Sequence, residues 1–239
     1  MKTITLRLAG PLQSYGDEAS YERRTTGDVP SKSAIVGLVA AALGYRRNDP
    51  RITALNDLAY AVRRDQVGQT LTDFHLVEWK PKTRKLTYRD YLQDAVFVVA
   101  LASEDEEFID KIEWAIRHPK FQLYLGRRAN VPTGRIVLGV TDGQGPIETL
   151  KKLPWQAALT YQQRYYYRSH KELVTVEILA DAVLLPGHPI QMQKDNVKSF
   201  RATDRNHGFR AVAVLRQQIP LQMARRETQH DVMRAMGEE

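Results

Sequence analysis

The stretch "VPSKSAIVGLVAAALG", Val29–Gly44, sets a lysine and a serine directly ahead of an apolar run. That is the order in which a phosphate-binding loop feeds a helix. The nucleotide-binding pattern G-x-x-x-x-G-K-[ST] needs glycines one and six residues before the lysine, and those positions hold Ser31 and Thr26. Pro30 withholds a further backbone N–H from any cradle. Nucleoside triphosphate hydrolysis is therefore not expected. What remains is a helix over Ser33–Leu43, with Ser31 or Ser33 as its cap and Gly44 as its stop. Its free N–H groups and partial positive charge suit an anion, and Lys32 adds a mobile charge. The same residues read equally as an ordinary capped core helix.

The neighbours of this helix set the fold class. Upstream, "TITLRLA" (Thr3–Ala9) alternates Ile4, Leu6 and Leu8 with polar residues, as a half-buried strand does. Downstream, Asp49-Pro50 opens a short helix carrying Ile52, Leu55 and Leu58, and "LAYAVRRD" (Leu58–Asp65) returns to a strand. "DAVFVVALA" (Asp94–Ala102) reads as a buried strand. "EDEEFIDKIEWAIRHP" (Glu104–Pro119) is a helix, acidic at its start and basic at its end, with Phe108, Ile109, Ile112, Trp114 and Ile116 as its core face. "RIVLGV" (Arg135–Val140) is the next strand. Apart from the short extra helix the order is β-α-β-β-α-β, an α+β, ferredoxin-like (RRM-like) arrangement over residues 1–142. Gln66–Gln93 is too long for a simple turn and predicts a protruding basic hairpin, its two strands joined across Lys80–Lys85. Residues 143–220 predict a smaller β-rich part, with strands near Leu173–Leu179, Ala182–Leu185 and Ala211–Arg216. Leu221–Glu239 reads as an amphipathic helical tail.

Composition bounds the function. The chain has 239 residues, 43% hydrophobic and 26% charged, the balance of a globular protein. No cysteine is present, which excludes disulfides and thiolate metal sites and suits a reducing compartment. The longest apolar runs, Ala34–Gly44 and Ala95–Ala102, fall short of the roughly 20 residues of a membrane span. A first strand so close to Met1 leaves no room for a signal peptide, so a cytoplasmic protein without membrane partners is expected. The net charge of +7 favours a polyanionic partner. Arg117–Arg135 holds five Arg or Lys residues and no carboxylate, and further basic groups gather at Arg23, Arg24 and Lys32 and at Arg46, Arg47 and Arg51.

Catalytic motifs are scarce. The six histidines have no partners at helical metal-ligand spacing, and no metal or cofactor is expected. His230-Asp231 stands alone near the end, and there is no G-x-S-x-G. His75, Tyr15 and Lys32 are the residue types that metal-free RNA cleavage would use, though each reads as readily as a structural or RNA-contacting group. "YQQRYYYRSHK" (Tyr161–Lys171) interleaves four tyrosines with Arg164, Arg168 and Lys171. It offers rings for bases and cations for phosphates, or else an exposed strand. The aromatic RNP1 pattern is missing, so an RNA would be held by loops and helix ends.

Four segments occur together and in order: "LRLAGPLQSYG" (Leu6–Gly16), "GDVPSKSAIVGLVAAALG" (Gly27–Gly44), "TDFHLV" (Thr72–Val77) with "YRDYLQDAVFVVAL" (Tyr88–Leu101), and "YLGRRANVP" (Tyr124–Pro132). In this they resemble the CasD family of type I-E CRISPR Cascade subunits, called CRISPR-associated protein five, within the RAMP proteins. The resemblance implies a ferredoxin-like domain with a thumb hairpin at about residues 66–93. It implies a non-catalytic subunit that caps the 5′ handle of the crRNA and packs against a backbone RAMP subunit and a large subunit. Carried onto this chain, the RNA-binding residues would be Gln13, Ser14 and Tyr15 in the first loop, Arg23 and Arg24, and Lys32 and Ser33 at the helix entrance. His75, Arg84 and Lys85 on the thumb, and Arg127 and Arg128, would complete the set. One relative in another subtype cleaves precursor crRNA, so the alternative is a metal-independent endoribonuclease.

Overall fold

The computed structural model describes residues 1–16 and 22–221. The chain runs β1 (Lys2–Ala9), β2 (Leu12–Gln13), β3 (Arg23–Arg24), α1 (Lys32–Leu43), β4 (Ala59–Gln66), β5 (Gln69–Lys80), β6 (Thr83–Gln93), β7 (Val96–Ser103), α2 (Glu106–Arg117), β8 (Val137–Asp142), α3 (Pro146–Lys152), α4 (Leu159–Ser169), β9 (Leu173–Asp181), β10 (Gln191–Ser199) and β11 (Asn206–Pro220). A 3-10 turn at Pro50–Asp57 follows α1, capped by Asp49. No described helix is long and apolar enough to cross a membrane.

Seven strands form one sheet in the order β10-β11-β9-β4-β7-β1-β8. Within it β4-β7-β1-β8 is the ferredoxin-like core, with each strand antiparallel to its neighbour. Burial on both sides explains why Asp94–Ala102 shows no alternation. Phe97, Val99 and Leu101 of β7 enter the core beneath α1 and α2, while Val98 and Ala100 face a second core shared with Ile147 and Leu150 of α3. The later strands do not close a β unit of their own: β9 pairs with β4 and carries the same sheet onward.

Local signals place the helices. Ser31 caps α1 by accepting from the Ala34 N–H at 3.3 Å, and Gly44 ends it at φ 80°, where a side chain would be strained. Asp105 caps α2 by accepting from the Phe108 N–H at 3.0 Å. Ile109, Ile112 and Ile116 of α2 are buried, but Trp114 is 58% exposed, correcting its expected core placement. It lies two residues past Ile112, about 200° round the helix, so the two cannot share a face.

The thumb is an antiparallel hairpin paired from Gln69↔Gln93 out to Lys80↔Thr83, with Lys82 at φ 64° in a turn tighter than the expected Lys80–Lys85 join. At its base β2 and β3 both pair with β6. Phe74, Leu76 and Trp79 are exposed along it.

Two expectations for the second half are corrected. Tyr161–Lys171 is not an exposed strand: most of it is α4, because Tyr161 and Tyr165, one turn apart, both set their rings edge-on to Trp155 at 5.9 and 5.5 Å. Ala182–Leu185 is not a strand either, since Ala182–Leu184 turns as a 3-10 helix at the end of β9. The expected tail, from 222 onward, and His230-Asp231 lie outside the described residues.

Candidate nucleic-acid interface

The N-terminus of α1 does hold an anion, and the anion is the protein's own. Asp195, on β10, accepts the Lys32 backbone N–H at 2.7 Å and takes Nε and Nη2 of Arg210 at 2.9 and 2.7 Å. Asp181 receives the Lys32 ammonium at 3.2 Å, Arg210 Nη1 at 2.7 Å and the Tyr60 N–H at 2.8 Å. Burial, opposed by Asp181, pushes the Lys32 amine below its ordinary value. The charge of Lys32, an expected RNA contact, is matched inside the fold.

The loop after β1 is scaffold for the most part. Gln13 is fully buried, its amide donating to the Ala95 carbonyl at 2.7 Å while its oxygen accepts the Tyr15 hydroxyl at 2.7 Å. Its polar atoms, expected to meet RNA, are engaged within the fold. Burial drives the Tyr15 phenol far above its ordinary value, which removes it as a proton carrier near neutral pH. Ser14 accepts no freedom either: its N–H donates to the Leu125 carbonyl at 3.1 Å, and its hydroxyl to the Asp90 carbonyl at 3.2 Å. Gly126 sits at φ +87°, where an added Cβ would lie 1.5 Å from the Ser14 carbonyl oxygen. The loop bearing Arg127 and Arg128 is thus clamped onto the first loop. Arg127 lies over the Tyr91 ring at 4.3 Å and donates to the Arg24 carbonyl at 3.1 Å, whereas Arg128 is turned to an open cleft.

Other expected contacts lie beside carboxylates, the arginines and lysine exposed and His75 half-buried. Arg23 pairs with Asp90 at 3.1 Å, Arg84 with Glu78 at 3.2 Å, Lys85 with Glu22 at 2.8 Å, and His75 with Asp73 at 2.8 Å. Tyr15, Lys32 and His75 stand on three separate elements: a buried loop, a helix entrance and the thumb.

The cleft itself has a volume of about 890 Å³. Ala34, Gly37 and Ala41 of α1, at spacings of three and four, line its floor, and their small size leaves it open. Ser14, Tyr15, Ser31, Ser33 and Arg128 from the sequence reading reach its wall. So do Tyr45, Arg46, Arg47, Phe121, Tyr124, Phe200 and Arg205, with no carboxylate among the described lining residues. Arg51 covers one face of Tyr45 at 4.0 Å while its fork is held by Asp49 at 2.7 and 3.0 Å, fixing that ring at the rim. Arg46 and Arg47 were visible in the sequence as a basic pair just past the Gly44 stop. Phe200 carried no local signal, and Arg205 stood out only as one of the basic residues beyond Lys194, partly offset by acids, since the link between β10 and β11 meets α1 only in the fold. Guanidinium groups set among aromatic rings take phosphates and bases of a single strand without needing its sequence. Among the described residues no group of carboxylates and histidines is placed to hold a metal.

A ferredoxin-like core with a long hairpin is the build of a RAMP protein. More narrowly, the chain belongs to the CRISPR-associated protein five family: residues 3–212 match the family described as CRISPR-associated protein (Cas_Cas5). It is 34% identical over 167 residues to the CRISPR system Cascade subunit CasD of Escherichia coli (strain K12), spanning 62% of this chain and 75% of that one. A chain of a solved CRISPR RNA-guided surveillance complex superposes with a TM-score of 0.73 at 31% identity, covering 91% of each. A second solved structure, described as a Cas protein, gives 0.65 at 27% identity over 92% of this chain and 95% of that one.

Proposed function

We propose that this chain is a non-catalytic, crRNA-binding subunit of a type I-E Cascade surveillance complex in the cytoplasm, and that its cleft caps the 5′ handle of the crRNA. The observation that carries this reading is the cleft wall, where Arg46, Arg47, Arg128 and Arg205 stand among five aromatic rings with no carboxylate among the described lining residues. Likeness to the Cascade subunit and to the surveillance-complex chain supports the same assignment. The backbone RAMP subunit and the large subunit are the expected protein partners, and the exposed apolar residues of the thumb suit burial in such an assembly. The buried phenol of Tyr15 and the internal ion pair of Lys32 argue against proton transfer to and from RNA.

The test is retention of repeat-derived RNA in EDTA by the assembled complex and by the chain alone. Four phosphate contacts predict an affinity about 50-fold lower at about 200 than at about 50 mM salt, with the RNA intact. Replacing Arg128 and Arg205 by glutamate should abolish retention of the handle. A defined cut in the RNA, or full retention by that variant, overturns the reading.

A further inference from the structure

The helix α4 is not used by this assignment, and it lies on the other side of the sheet from the cleft. Trp155, Tyr161 and Tyr165 pack on Val174, Val176 and Ile219. Ile178, on the same face of β9, meets Ala61, Val98 and Ala100, which point away from the α1 core. We propose that the outward face of α4 is a second nucleic-acid surface, which takes a single-stranded segment distinct from the one in the cleft.

Three features carry this. First, Thr149–Lys171 contains five Lys or Arg residues and no carboxylate. Arg164 and Arg168, one turn apart, point outward with no ion-pair partner among the described residues. Several exposed arginines are neutralised, as Arg84 is by Glu78, Arg117 by Glu113 and Arg216 by Glu177, whereas Arg164 and Arg168 share the unpaired state of the cleft arginines Arg46, Arg47, Arg128 and Arg205 among the described residues. Second, Tyr167 sits between the two arginines in sequence and on the same face, 72% exposed, so it offers an aromatic ring to a base. Third, a shallow cleft of about 260 Å³ is lined by Tyr161, Arg164, Tyr165, Arg168 and Ser169. Its tyrosines are held in place, Tyr165 by donating to the Leu173 carbonyl at 3.1 Å and both rings by Trp155. Cations alone would suit an acidic protein face equally. Cations interleaved with an exposed ring, beside a preformed cleft, favour a strand whose phosphates and bases alternate.

The experiment uses the full chain with Arg46 and Arg47 replaced by alanine, so that the cleft contributes little, and a short labelled oligothymidylate carrying photoreactive thiothymidine. Removing two phosphate contacts from a single-strand site lowers the slope of log affinity against log salt by about 1.4, or about 25-fold in affinity at about 0.1 M salt. Arg164→Ala/Arg168→Ala should show that loss, Arg164→Lys/Arg168→Lys should retain most of the slope, and photo-crosslinks should map to the α4 peptide. Both arginines are exposed, and alanine favours helix, so folding is preserved. An unchanged slope, or crosslinks confined to the α1 cleft, overturns the proposal. So does loss of a protein subunit from the assembled complex while oligonucleotide binding stays intact. Retention of the 5′ handle is read separately and does not depend on this result.

Discussion

Asp195→Ala should destabilise the protein far more than a surface substitution would. Asp195 is 2% exposed and shares its site with Lys32, Asp181 and Arg210, two cations matched by two carboxylates. Alanine leaves one positive charge in excess, strips two hydrogen bonds from the Arg210 guanidinium and frees the first N–H of α1. Removing one partner of a buried pair costs about 3–5 kcal/mol, because the other charge stays behind. With a urea dependence of about 2 kcal/mol per molar, the unfolding midpoint falls by about 2 M. Lys32→Met in the same background restores the balance, leaving Arg210 opposite Asp181. The double variant should then lose less than the sum of the two single losses. The cluster also joins α1, the floor of the cleft, to the strands flanking Phe200 and Arg205, so handle retention should fall with stability in Asp195→Ala. A midpoint shift worth less than about 1 kcal/mol, as for an exposed pair, would refute the claim that this charge is held in the interior. Strict additivity with Lys32→Met would refute the coupling.

Arg46→Ala/Arg47→Ala/Arg205→Ala should lower the salt slope for single-stranded RNA by about 2, read by filter binding over a salt series. Gly126→Ala should cost at least about 2 kcal/mol in thermal unfolding, since the methyl group meets the Ser14 carbonyl at a positive φ. Gly139→Ala, with nothing within 4 Å of the added carbon, is its near-neutral control. At the thumb base, the Arg23 guanidinium and then the Thr72 hydroxyl hold the Asp90 carboxyl below its ordinary 3.8. The unfolded chain therefore takes up that proton first, and the stabilisation is complete above the ordinary value and lost as pH falls through the folded one. Asp90→Asn should flatten the acid limb of a stability-against-pH curve.

Much of the first half was legible because its rules are local. The alternation of Ile4, Leu6 and Leu8, the Ser31 cap with Gly44, and the Asp105 cap each fix an element within a few residues. Their order then leaves few topologies, and the observed strand order is among the commonest. In the second half the rules are not local. Tyr161, Tyr165, Tyr166 and Tyr167 favour strands by type, yet α4 forms because two of them find Trp155 one turn apart. The β9–β11 strands read as a small separate part because nothing in them announces that the edge of β4 is free to be extended.

The site divides along the same line, and α1 shows why. From the sequence, Lys32 at a helix entrance means an electropositive end in search of an anion. Whether that anion is RNA depends on Asp181 and Asp195, which lie 149 and 163 residues away in the chain. Once the protein supplies its own carboxylates, the helix end becomes a joint rather than a binding site. Under the proposed function the work of holding RNA falls to the flank of the same helix, where small residues open a cleft lined by arginines from three separate segments. Residue type thus singled out the helix, while distant strands decide what its entrance holds. A charge with internal partners contributes to assembly of the fold, and only cations left without such partners are available to phosphate.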